Sequence, residues 1–277
     1  MKILFPSLLL IIACGTAFAS PQQKPAVGGA QATTTPRRPP QAKSQKEFND
    51  YNTAYAITGG AASEKAADDF AAHHPESELR SILYSKAAHE YQAENNPGKM
   101  LAMAQKVLSL DPDDTVALVL AATVLSDNLN DSDQDREQKV EQIRKDASRA
   151  LQTVDSMLPP NATPEQIATY KNTLKSMAHS ALGITNLKMK DDAGAEQELK
   201  TAAELGKAQP DAYVWYHLAL AQDHQNKYQE ALASVTEALR HTSANPDLAR
   251  LATGERDRLL KLTGGEAGPG NNSQPPR

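Results

Sequence analysis

Two stretches of the chain coincide when one is slid 36 positions along the other. Residues 227–247, KYQEALASVTEALRHTSANPD, fall on residues 191–211, DDAGAEQELKTAAELGKAQPD. Ala231 then lies on Ala195, Val235 on Leu199, Ala238 on Ala202 and Pro246 on Pro210. The segments before them match as well, Leu218-Ala219 falling on Leu182-Gly183. Apolar residues spaced three and four apart make each stretch one face of a helix. A fixed period of this length makes the pair of helices, not the single helix, the repeating unit.

The pattern returns upstream. Tyr84, Ala87, Ala88 and Tyr91 mark a first helix, and Met100, Ala104 and Val107 a second, closed by Asp111-Pro112. Leu118, Ala121, Ala122 and Leu125 begin the next unit; Ala147, Leu151 and Val154 complete it before Pro159. A 13-residue excess centred on SDNLNDSDQDRE separates the two halves of that unit. A weaker unit comes first, with Phe48, Tyr51 and Tyr55, then Ala66, Ala67, Phe70 and Pro75. Thr163, Pro164 and Gln166 form a helix start with a capping box, so one first helix is expected to run from Pro164 through Gly183. Residues 246–262 read as a closing helix with Leu248, Leu251, Leu259 and Leu262 turned to the array.

Helices cross closely only where the contact lacks bulk. Ala88, Ala122, Gly183 and Ala219 occupy that place in the first helices, and Ala147, Ala195 and Ala231 in the second; Met100 departs from it. The composition agrees: 40% hydrophobic residues, many of them alanine, with only 5% aromatic. The formal charge of −5 implies no phosphate-neutralising surface.

Units of about 34 residues with small residues at the crossings and a closing proline resemble the tetratricopeptide repeat family over roughly residues 45–246. The resemblance implies an all-α chain, an α-solenoid of stacked helix–turn–helix repeats with a C-terminal capping helix, occupying 45–263. It implies a concave groove lined by first helices. The groove-facing positions would be Ile82, Ser85, His89 and Gln92; Val116, Val119, Thr123 and Ser126; Met177, Ser180, Ile184 and Leu187; and Tyr213, Tyr216, Leu220 and Asp223. Tyr213 and Tyr216 are the better contact candidates, and either could instead pack on the long 164–190 helix. Some family members grip a peptide's terminal carboxylate with paired lysine and asparagine. The matching sites are Ser85, Val119, Ser180 and Tyr216, then His89, Thr123, Ile184 and Leu220, and none supplies that pair.

The flanks differ in kind. Residues 1–19, MKILFPSLLLIIACGTAFA, have one lysine, an apolar run too short to span a bilayer, and an Ala17-Phe18-Ala19 cleavage pattern. They read as a bacterial-style secretory signal, so the mature chain is expected in the periplasm or outside the cell. Its one cysteine, Cys14, follows Ile11-Ile12-Ala13 and could alternatively be a lipidation site that anchors the chain to a membrane. Residues 20–44 are a Pro-rich linker and residues 264–277 a tail, both expected to be disordered.

Catalytic signatures are missing from the sequence: there is no G-x-S-x-G, no H-E-x-x-H, no phosphate loop and no G-x-G-x-x-G. Asp131, Asp133 and Asp135 alternate as calcium loops begin, but Arg136 stands where the loop needs glycine and Gln142 where it needs glutamate. His73-His74 diverge on a helix, and His217 and His224 lie two turns apart, too far to share an ion. No enzyme, metal or cofactor is expected. The expected function is non-catalytic binding of a protein or peptide in the bacterial envelope, without nucleic acid. The alternative is a lipid-anchored structural subunit of an envelope assembly.

Overall fold

A computed structural model describes residues 40–157, 162–243 and 245–264 of the chain. The signal 1–19 with Cys14, most of the 20–44 linker, the stop at Pro159 and the tail beyond Gly264 lie outside the described residues. Among those described there are eleven α-helices, one 3₁₀ turn at Val154–Ser156 and no strand. In order they are α1 Gln45–Tyr55, α2 Gly60–His73, α3 Arg80–Ala93, α4 Pro97–Leu110, α5 Thr115–Asp127, α6 Arg136–Thr153, α7 Pro164–Lys188, α8 Asp192–Leu205, α9 Ala212–His224, α10 Tyr228–Arg240 and α11 Pro246–Leu262.

Local chemistry sets these bounds. Ser44, Asn96, Asp114, Thr163, Asp191, Asp211 and Asn245 each stand just before a helix and accept one of its first free amides. Thr163 and Gln166 close the expected capping box, and α7 runs unbroken for 25 residues from Pro164. Three hairpin turns pass through the left-handed region, at Asn95, Lys190 and Asn226, with φ of 53°, 63° and 60°. Lys190 and Asn226 are again 36 positions apart, so the turn repeats with the helices. The α5–α6 connection carries the insert instead.

Each helix packs on its neighbours in sequence, which makes an α-solenoid of five helical hairpins closed by α11. First helices also adjoin one another: α1 with α3, α5 with α7, α7 with α9, and α9 with α11. The core is a string of four apolar clusters along the stack. Ala88, Ala122, Ala147, Ala195, Ala219 and Ala231 are all buried at the crossings, as the spacing predicts. A Cβ on Gly183 would lie 2.6 Å from Leu199 Cγ and 3.3 Å from the Ala195 carbonyl oxygen. Met100, the departure, is 1% exposed and fills its crossing beside Met103.

Two expectations are corrected. Phe48 is 40% exposed, and Tyr51 alone of the α1 aromatics is fully enclosed. Leu251 and Leu262 face outward on α11; Leu248, Ala252 and Leu259 make its buried stripe, because a small residue lets α11 lie closer to α10. Ahead of α1, which starts at Gln45, the last described residues also touch the fold. Gln41 N donates to Glu78 at 3.3 Å and Lys43 Nζ to the Glu76 carbonyl at 2.6 Å.

Candidate functional site

Side-by-side first helices present one face of the stack, and the sequence-predicted groove residues sort along it. Ser85 and Gln92 of α3 are half-buried and His89 is exposed. Thr123 of α5 is half-buried, its hydroxyl oxygen enclosed without a hydrogen-bond partner. Val119 is only 1% exposed and Ile184 2%; both belong to apolar clusters and do not reach the surface. Ser126 is buried too, its hydroxyl donating to the Thr123 carbonyl. Ser180 and Leu187 of α7, with Tyr213, Tyr216 and Leu220 of α9, are half-buried. Asp223 is engaged elsewhere: Arg258 of α11 bonds it at 2.5 Å and Glu255 at 2.7 Å. The capping helix therefore reaches the last of the predicted wall positions and takes its carboxylate.

A polar grouping on this face lies where α5, α7 and α9 meet. Lys188, at the end of α7, donates to the carbonyls of Ser126 and Asp127, both at 2.7 Å. Those carbonyls end α5 and carry the negative end of its dipole, so the ammonium is well placed. Arg136 in turn donates to the Lys188 carbonyl at 2.7 Å and pairs with Asp131 at 3.0 Å, which seats the insert against the end of α7. From α9, the Tyr213 hydroxyl donates to Asp127 Oδ1 at 3.2 Å, so its side chain ties α9 to the end of α5. Tyr213 also packs on the cluster that contains Ile184, with Leu187 and Trp215 beside it. His217, one turn on, lies tilted against Tyr213 with ring centres 4.1 Å apart, and edge-on to Tyr216 at 5.5 Å. Its Nδ1 donates to the Tyr213 carbonyl at 2.8 Å, since a carbonyl can only accept.

Crowding sets the proton affinities here. Burial pushes the Asp127 carboxyl up to about 7, against the opposing pull of Lys188 and of the Tyr213 hydroxyl. Burial raises Asp211 in the same direction and lowers Lys188. It also lowers His217 to about 4, so that imidazole is neutral at pH 7. Tyr213 and Tyr216 are raised, again chiefly by burial. Of this grouping, sequence reasoning found the two tyrosines, and it noted His217 only as a metal candidate. Asp127 and Lys188 carried no signal that the sequence reading picked out.

Several other titratable side chains are partnered within the fold. His74 Nε2 meets Asp50 at 2.7 Å, His179 meets Glu198 at 2.6 Å, and His224 meets Asp192 at 2.8 Å. In the insert, Asp133 and Asp135 both pair with Lys139. Among the described residues no three histidine, cysteine or carboxylate side chains are grouped to hold a metal ion. Two cavities of about 450 and 370 Å³ lie by residues 76–81 and between α1 and α2, outside the α5–α7–α9 junction. The arrangement on the α5–α7–α9 face offers hydroxyls, aromatic edges and apolar floor to a ligand. Comparison with known proteins returns no matching family model and no matching curated protein.

Proposed function

We propose that the chain is a non-catalytic interaction scaffold of tetratricopeptide type, which takes a peptide segment or protein face on the wall formed by its first helices. The observation that carries this reading is α9: Tyr213, Tyr216 and Leu220 are half-buried on a helix whose neighbours on that face are other first helices. Aromatic rings with polar tips give contact area at small entropic cost and are favoured at recognition surfaces. The leader-like first residues support a bacterial-envelope location for this activity. No helix among the described residues is long and apolar enough to cross a membrane. Ile11-Ile12-Ala13-Cys14 supports a second reading, a lipid-anchored subunit of an envelope assembly. Intact mass separates the two, since the exported chain would begin at Ser20 or at a lipidated Cys14.

The test is site-specific photo-crosslinking in intact cells. Probes at Gln92, Leu187 and Leu220 are expected to capture a common neighbour, and probes at the exposed Glu141 and Lys145 of α6 are not. Tyr216→Asp is expected to abolish that capture with helix content unchanged by circular dichroism. Capture equally strong from α6, or undiminished by Tyr216→Asp, removes the wall as the contact face.

A further inference from the structure

Pro40, the first described residue, lines the cavity of about 450 Å³ beside residues 76–81. Its other walls include Glu76 and Glu78, ahead of α3, and Leu110 and Asp111 at the end of α4. Arg80 is the one cation among the described lining residues, and its Nε is held by the Ser77 carbonyl at 2.9 Å. From Pro40 the chain crosses this edge of the stack to reach α1. The Gln41 amide donates to Glu78 at 3.3 Å, and Ala42 packs against the first apolar cluster. Lys43 donates through Nζ to the Glu76 carbonyl at 2.6 Å and through its amide to Glu47 at 2.7 Å.

We propose that Arg37 and Arg38 extend this seat. Their guanidinium groups dock on the carboxylates of Glu76, Glu78 and Asp111, and residues 37–44 form a strap that clamps the first hairpin to the second. The strap lies on the edge formed by the connections between hairpins and is independent of the proposed docking wall.

Covalent geometry keeps the pair close. A chain advances at most about 3.6 Å per residue, so the Arg38 Cα lies within about 7 Å of the Pro40 Cα and the Arg37 Cα within about 11 Å. Both long side chains therefore start beside the cavity. Charge selects the same place. Residues 20–44 hold Lys24, Arg37, Arg38 and Lys43 and no carboxylate, whereas the cavity wall offers three. Arginine's planar fork can meet a carboxylate through two parallel hydrogen bonds. Prolines at 36, 39 and 40 restrict φ, so docking removes less conformational freedom than it would from an ordinary run. The first helix gains from such a hold. α1 stands at the end of the array, packs on α2 and α3, and buries just Glu47 and Tyr51 of its own residues.

Amide exchange in the purified exported chain reads the strap. Reversing both charges, Arg37→Glu with Arg38→Glu, is expected to speed exchange across residues 41–55 about fivefold, the scale of two partly exposed ion pairs. α9 and α10 should keep their rates. Glu76→Arg alone, at an exposed position whose side chain the Lys43 bond does not use, should speed the same residues. Added to the reversed chain, Glu76→Arg should recover most of the lost protection, because the swapped charges attract again. Exchange unaltered by the arginine reversal overturns the proposal, and so does a failure of Glu76→Arg to restore it. Rates in the unaltered chain should not depend on its concentration. Slower exchange at higher concentration, with a dimer by light scattering, would assign the cavity to the arginines of a second copy and overturn the strap. No outside partner enters this assay, so its outcome and that of crosslinking at the wall are separate results.

Discussion

At Glu196 one carboxylate, 5% exposed, receives Lys200 and Lys227 at 2.6 Å each and Gln225 at 2.9 Å. Burial alone would raise its pKa; the three donors outweigh burial and hold it at about 2. A carboxylate depressed in the folded state contributes stability above its unfolded value near 4.5, lost as pH falls through the folded value. Glu196→Gln is therefore expected to cost on the order of 2 kcal/mol at pH 7. The deficit should shrink toward pH 2, as urea unfolding at the two values would show. A deficit independent of pH would mean that the carboxylate's charge contributes nothing. Two glycines make a second test with opposite signs. Gly183→Ala drives a Cβ into Leu199 and should destabilise by roughly 1–3 kcal/mol despite alanine's better helix propensity. Gly254, in α11, has nothing within 4 Å of a built Cβ, and Gly254→Ala should stabilise by about 1 kcal/mol. Thermal melts of the two variants check both signs.

At the scale of elements, what could be read from sequence depended on how far apart the partners stand. The Thr163–Gln166 box spans three positions, and α7 begins where that spacing says. The start of α2 has no side-chain cap of its own. Glu90 of α3 accepts the Gly59 amide at 3.1 Å and Glu94 the Gly60 amide at 2.7 Å, across 31 and 34 residues, and no local pattern announces that. The predicted wall shows the same limit. Helical spacing sets Val119 beside Thr123, and Ile184 beside Leu187, on their helices. Which of them is covered depends on how the next first helix lies across it, and that angle is a property of the stack. In α11 the four leucines gave the helix and its length. Its buried stripe turned instead on Ala252, because closeness of approach decides and bulk does not.

For the whole molecule, four apolar clusters in series mean that each hairpin leans on its neighbours and on little else. Removing α11 takes Ala252 and Leu259 from the last cluster and leaves the first untouched. Hydrogen exchange is expected to quicken throughout α9 and α10 in a chain ending at Asn245, while α3 and α4 keep their protection. Uniform loss of protection would mean that the array unfolds as one cooperative block. The order of synthesis adds a further consequence. Lys188 is made 61 residues after Asp127, whose carbonyl it holds, so a ribosome has finished α5 long before the cation that quiets its carbonyl end exists. The central units of a nascent chain must wait, half-settled, until the long helix behind them has emerged.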